Sequence, residues 1–172
     1  MGNRKGIRKG TMMELLLEYL KDSSKSDRQL AKTMGVSQPT VSRMRSKLLA
    51  EGVVKHFSAF PDFAKMGYEI MTFTCAKFNM DKVVEIKEKA ERWAQQNPEI
   101  IFTSRAQGMG MDAVAISIHK NYAAYDAFVK RNRLWWGNLM LDSHQMLVDL
   151  RGGITKPLSL KYLAESDKTK EN

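Results

Sequence analysis

The chain has one cysteine, Cys75, among 172 residues. An internal disulfide is therefore excluded, and the lone thiol fits a reducing compartment. No stretch approaches the roughly 18 apolar residues that a membrane-spanning helix needs. The basic, glycine-rich first ten residues have no long apolar run behind them, so they do not read as a signal peptide. Signatures of catalysis are missing as well: there is no phosphate-binding glycine loop, no nucleophile elbow and no zinc spacing. His56, His119 and His144 are scattered, and Asp112, Asp142 and Asp149 have no recognisable pairing. No catalytic residue, metal ligand or cofactor is expected. Cys75 alternates with Phe73 in an apolar stretch and reads as a small core residue.

Acid is scarce in the first third. Residues 1–60 hold 12 Lys and Arg against 5 Asp and Glu, whereas residues 61–172 hold 16 against 14. Most of the net charge of +9 thus sits in one third of the chain. Such asymmetry points to a polyanion partner for that part, nucleic acid or an acidic membrane surface.

The organising stretch is Ser37–Gly52. Ser37 is a suitable N-cap, Pro39 falls in a first helical turn where its missing N–H costs little, and Gly52 is a C-terminal stop. Val41, Met44, Leu48 and Leu49 recur at helical spacing. The other side carries Thr40, Ser42, Arg43, Ser46 and Lys47 without a carboxylate, which suits a phosphate-lined groove. Upstream, Met12–Lys21 reads as a first helix in which Met12, Leu16, Tyr19 and Leu20 keep helical spacing and Leu15 and Met13 widen the stripe. Ser26 or Asp27 caps a second, Arg28–Met34, closed by Gly35. Helix, tight turn at Gly35-Val36-Ser37, helix is a helix-turn-helix pattern. Val53–Phe60 alternates and reads as a strand or wing. Asp62 caps a short helical turn ending at Gly67.

From Tyr68 onward strands and helices follow one another. The expected strands are Glu69–Phe78, Glu99–Ala106, Asp112–His119 and Leu141–Leu150. Asp81 caps a helix running to about Gln96, with Val83, Ile86, Ala90, Trp93 and Ala94 as its stripe. Asn121 caps another, with Tyr122, Tyr125, Phe128 and Val129 inward. The order βαββαβ is the ferredoxin-like arrangement, with one sheet face open. Its apolar side chains would be covered by a second subunit, so a dimer is expected. Residues 151–172 form a tail in which Leu158–Ala164 packs.

This sequence resembles the leucine-responsive regulatory protein (Lrp)/AsnC family of transcription regulators over residues 12–150. Three places carry the likeness: Leu30-Ala31 with Gly35-Val36-Ser37; Leu48 with Gly52-Val53-Val54, followed by Lys65-Met66-Gly67-Tyr68; and Gly108 with Asp112-Ala113-Val114-Ala115. There are departures. Gly10-Thr11 stand where the family has acidic residues. Met44 and Arg45 stand where arginine and an apolar residue are usual. Gly110 lengthens the glycine turn, and Trp135-Trp136-Gly137-Asn138 replaces the usual Pro-Gly-Val. The resemblance implies an α+β chain: a basic arm (1–11), a winged helix-turn-helix (12–60), a hinge (61–67), a ferredoxin-like dimerisation and effector domain (68–150) and a C-terminal tail (151–172). It also implies a homodimer or higher homo-oligomer, and a small-molecule effector, such as an amino acid, near Gly108, Gly110 and Asp112. A plain hairpin turn explains those three residues equally well.

The expected function is sequence-specific binding of double-stranded DNA by a cytoplasmic, nucleoid-associated transcription regulator without a membrane partner. Thr40, Ser42, Arg43 and Gln38 would reach base edges; Ser37, Arg28, Ser46 and Lys47 would hold phosphates. Two rivals stay open: an architectural DNA-binding protein with little sequence preference, and an enzyme of the siroheme decarboxylase type, which shares this architecture. The stretch Pro98–Arg105 lacks the histidine that such enzymes carry.

Overall fold

A computed structural model describes residues 10–168. The segment read as a basic arm lies almost wholly outside them. The chain divides into two compact units. One is formed by the residues up to Phe60 together with those from Lys156 on, and the other by Pro61–Thr155.

The first unit is built from α1 (Thr11–Lys21), α2 (Asp27–Met34), α3 (Gln38–Ala50) and α6 (Lys161–Lys168). Leu15, Leu30, Val41 and Leu48 are fully buried at its centre, with Tyr19 and Ala31 beside them. Ala31 lets α2 come close to its neighbours, while Met34, Val36, Val54 and Phe57 close the rim. α6 returns from the far end of the chain and packs against α1, burying Ala164 completely. Of the segment Leu158–Ala164 expected to pack, Ala164 does so within a helix beginning at Lys161, while Leu158, Leu160 and Leu163 are exposed.

The wing is not formed. Residues 53–60 join no β-ladder among the described residues. A strand needs a partner to satisfy its amides, and among the described residues no strand pairs with this segment. The segment is held by side chains instead: Phe57 packs edge-on against Tyr19 at 4.9 Å between ring centroids.

The second unit is a four-stranded antiparallel sheet in the order β2-β3-β1-β4, made of β1 (Ile70–Phe78), β2 (Ile100–Gly108), β3 (Met111–His119) and β4 (Met140–Asp149). With α4 (Val83–Gln96) and α5 (Tyr122–Trp136) the order is βαββαβ, as the sequence implies. The cap of the first helical stretch is corrected. Asn79, not Asp81, accepts from a backbone amide there, and a 3-10 turn at Met80–Lys82 precedes α4. Asn121 caps α5 as read, its Oδ1 accepting from Ala124 N at 2.9 Å. Val83 and Tyr122, placed inward by spacing, are exposed because each sits in the first turn, beyond the edge of the core.

The two faces of β1 are the reverse of what its hydropathy suggests. Thr72, Thr74, Ala76 and Phe78 are buried, while Met71, Phe73 and Cys75 lie on the opposite face. Register puts Ile116 and Met146 beside Phe73, and Phe102 beside Ile116. Phe102 is 50% exposed and Met146 68% exposed. This is the open face, and Cys75 belongs to it, partly exposed rather than in the core. The core forms on the other face, from Ala76, Phe78, Trp93, Phe128, Trp136 and Leu139. Wide aromatic rings on the helices meet small residues on the sheet there.

Candidate nucleic-acid interface

The interface residues are positioned by local capping. Ser26 and Gln29 form a reciprocal capping box that starts α2. Gly35 then adopts φ 66°, a left-handed conformation that favours glycine, and its N–H donates to Ala31 O. Two residues later Ser37 starts α3: its hydroxyl accepts from Thr40 N at 3.3 Å and lies 2.8 Å from the Thr40 hydroxyl. The turn is thereby fixed at both ends by bonds reaching no further than four residues along the chain.

Val41 and Leu48 anchor α3 on the core. With about 3.6 residues per turn, Pro39, Arg43, Ser46 and Ala50 fall on the opposite ridge. Ser42 and Lys47 flank it, and Gln38 opens it. All of these are exposed. Thr40 is half-buried and tied to Ser37, so its hydroxyl serves the cap first. Lys47 stands 3.7 Å from Glu51 in an exposed pair that salt screens easily. Among the described residues, Arg43 and Arg28 form no ion pair and are free to meet an anion. Lys32, unremarked in the sequence beyond its charge, stands one turn from Arg28 on the same side of α2 and is exposed.

Arg45 has a different task. Its guanidinium carbon lies 5.1 Å from the Phe57 ring centroid and its Nη1 3.6 Å from Asp27 Oδ1. An arginine at a position where an apolar residue is usual is therefore used as packing material. Beneath α1, buried Glu18 accepts from both Lys21 and Lys25, and these bonds hold its carboxyl below the usual carboxylate range. The pair spends two of the unit's lysines on its own scaffold.

The residues read as effector-binding lie in the other unit. Gly108 pairs with Met111 across a two-residue turn, Met109-Gly110, in which both residues have positive φ. This is the backbone pattern of a type I′ hairpin. Asp112 Oδ2 accepts from Phe78 N at 2.9 Å, filling the gap where the β1–β4 register shifts. The structure thus gives Gly108 and Gly110 to the turn, and commits one Asp112 oxygen to the end of β1. Among the described residues there is no group of acidic, histidine or cysteine side chains able to hold a metal ion, and no helix long and apolar enough to cross a membrane.

No family model matches the chain. Two uncharacterised helix-turn-helix-type transcriptional regulators of Pyrococcus furiosus are similar to it. One is 29% identical over 83 residues, covering 48% of this chain and 55% of the relative. The other is 32% identical over 68 residues, covering 40% and 46%. The chain thus matches about half the length of these relatives. Among solved structures, an AsnC family transcriptional regulator from Agrobacterium tumefaciens superposes with a TM-score of 0.71 at 24% identity, over 90% of this chain and 99% of that one. Bacillus subtilis LrpC gives a TM-score of 0.69 at 19% identity, over 88% and 100%. A Neisseria meningitidis transcriptional regulator in complex with L-Met gives 0.73 at 17%, over 92% and 99%. At these identities the likeness speaks for the fold, and that fold is the one the sequence motifs imply.

Proposed function

We propose that this chain, which has the fold of the Lrp/AsnC-type transcriptional regulators, is a DNA-binding transcription regulator that acts as a dimer. The observation that carries the reading is the outer ridge of α3. A helix held rigidly by Ser37 and a left-handed Gly35 presents Arg43 and Ser46, flanked by Ser42 and Lys47, without an acid until Glu51 at its end. Such a helix fits the width of a major groove. Arg43 reads a base there, with Ser42 and Gln38 beside it. Arg28, Ser37, Ser46, Lys47 and Lys32 hold phosphates on either side. Thr40 contributes through the cap and through its methyl group.

The open sheet face supports the dimer. Met71, Phe73, Phe102, Val114, Ile116 and Met146 form one continuous apolar patch, and a patch of this kind on a soluble chain is a contact surface. Two copies related by a two-fold axis cover it with one another and bring two recognition helices to half-sites about one or two helical turns apart. A small-molecule effector near the β2–β3 hairpin is the finer part of the reading. It draws on the neighbouring structure solved with L-Met and on the free second oxygen of Asp112.

The test is selection of bound fragments from a sheared genomic pool at near-physiological salt. A regulator enriches a few sites that share a two-fold symmetric motif. Even retention of all fragments, falling steeply with salt, shows phosphate contacts alone and favours an architectural protein. Absence of binding refutes both.

A further inference from the structure

A half-open hollow of about 350 Å³ lies in the first unit. Its walls are the C-terminal half of α1, the segment 54–60 that follows α3, and Ser159 and Leu160 ahead of α6. Segment 54–60 meets α1 through side chains, Phe57 edge-on against Tyr19 among them, and where those side chains end the space is not filled. The volume lies within the range of small-molecule pockets, about 300–1,000 Å³. At about 30 Å³ for a bulk water molecule, it has room for about a dozen of them.

Burial sorts the lining into two kinds. Leu16, Leu20, Val54 and Phe57 are half-buried and form an apolar floor. Ser23, His56 and Ser58 are exposed and stand toward the mouth, with Phe60 and Leu160 beside them. No carboxylate lines the hollow. Glu18, on the same helix, accepts from both Lys21 and Lys25, so two ammonium groups share one carboxylate at the Lys21 wall. Asp22 follows Lys21 in the chain but is bound by the N–H and hydroxyl of Ser24, outside the lining. His56 forms no ion pair or hydrogen bond among the described residues. The backbone adds donors of its own: within the described residues the N–H groups of Lys55 to Phe60 donate no hydrogen bond to the protein. Donors and cations around an apolar floor fit an amphipathic anion. Its hydrocarbon leaves water on the floor, and its carboxylate accepts charge-assisted hydrogen bonds at the mouth. A cation would meet Lys21 and find no carboxylate in the lining.

We propose that this hollow binds a small monocarboxylate with an aliphatic or aromatic body, about a dozen heavy atoms in all. The body lies on Leu16, Leu20 and Phe57, and the carboxylate turns toward His56 and Lys21. The site shares no residue with the β2–β3 turn or with the outer ridge of α3, and it does not rest on the DNA-binding reading.

The test uses the free full-length protein with octanoate as the probe. Octylammonium has the same body with the opposite charge, and butyrate keeps the charge on a shorter body. The methyl resonances of Leu16, Leu20 and Leu160 are followed by NMR together with the ring resonances of His56. Octanoate should shift them saturably, and octylammonium and butyrate should each bind about tenfold more weakly or worse. His56→Gln and Phe60→Ala alter exposed residues; both should leave the protein folded and weaken octanoate binding several-fold. Equal affinity for octanoate and octylammonium, a drift that does not saturate, or unchanged binding in both variants overturns the proposal. Shifts confined to the Met71 and Met146 methyls of the open sheet face overturn it as well, because they place the probe elsewhere.

Discussion

Arg45 lies over the Phe57 ring, 5.1 Å from its centroid, and this stack joins α3 to the segment that leaves it. The same guanidinium faces Asp27 at the start of α2. One side chain therefore bridges α2, α3 and the segment that fails to form a wing. Arg45→Met keeps the length of the stem but removes both charge contacts. The arginine is about half exposed, so the loss should be about 1 kcal/mol, read as a lower urea midpoint. If Arg45 does not touch phosphate, the dependence of DNA binding on salt should be unchanged in the folded variant.

Arg43 should behave in the opposite manner. Arg43→Ala should leave the urea midpoint within about 0.5 kcal/mol of the parent, as for an exposed side chain without partners. Its affinity for the selected site should fall by about 1–3 kcal/mol, and preference at one base pair should relax. The measurement is a titration of the selected duplex against single-base variants of it. A loss of the same size on every sequence would mean that Arg43 meets a phosphate and reads no base.

Much of this first unit was legible because its signals are local. Gly35 and Ser37 act within a few residues, so their roles show in the sequence, while the choice of Ser26 over Asp27 as the cap of α2 is made by its bonds with Gln29. The wing was not legible because alternation in Val53–Phe60 says nothing about whether a partner strand exists. β1 misled in a related way. Its larger apolar residues face away from the helices, and the threonines are enclosed by them, an arrangement that suits the proposed second subunit on the open face. Arg45 stood out in the sequence only as an arginine where an apolar residue is usual, and its distance to Phe57 reveals a packing role. Asn132 falls on the inward stripe of α5, seven residues after Tyr125 and four after Phe128, but a polar side chain adds nothing to the hydropathy pattern by which that stripe is read.

Thr72 tests the cost of that enclosure. It is fully buried, and its hydroxyl oxygen has no hydrogen-bond partner. Thr72→Val exchanges the hydroxyl for a methyl group of similar size and leaves nothing unpaired. The variant should be more stable by about 1 kcal/mol, seen as a rise in urea midpoint without a change in slope. An unchanged or lower midpoint would show that water or a rotated neighbour satisfies the hydroxyl in solution.

Acid should weaken the protein in two separate steps. His119 is buried, its Nε2 lies 2.9 Å from Ser117 Oγ, and loss of solvent pushes its pKa below the ordinary histidine value. The unfolded chain takes up a proton from about pH 6.5 downward while the folded ring stays neutral, so falling pH favours unfolding. The stability owed to the neutral ring is complete above that pH and drains below it. Glu18 is lowered for another reason, its bonds to Lys21 and Lys25. Its contribution holds down to about pH 4.3 and disappears as the pH passes through the depressed folded value. Urea midpoints measured across this range should show both slopes. His119→Phe should erase the upper one and spare the lower, and Glu18→Gln the reverse.

The hairpin tip offers the last prediction. Met109 is 87% exposed and holds φ 51°, a left-handed conformation that costs a side chain such as methionine about 1 kcal/mol. Followed by Gly110, it occupies the first central position of a type I′ turn, where asparagine is preferred. Met109→Asn should therefore raise the urea midpoint by up to about 1 kcal/mol in the isolated chain. A side chain kept in strain at an exposed tip asks for a compensating contact. If Met109 reaches a second subunit, the same variant should gain stability at high dilution, where protomers are apart, and lose it at concentrations where they associate. Denaturation at two protein concentrations separates these outcomes: a gain at both makes the methionine incidental, and a change of sign places it in the subunit contact.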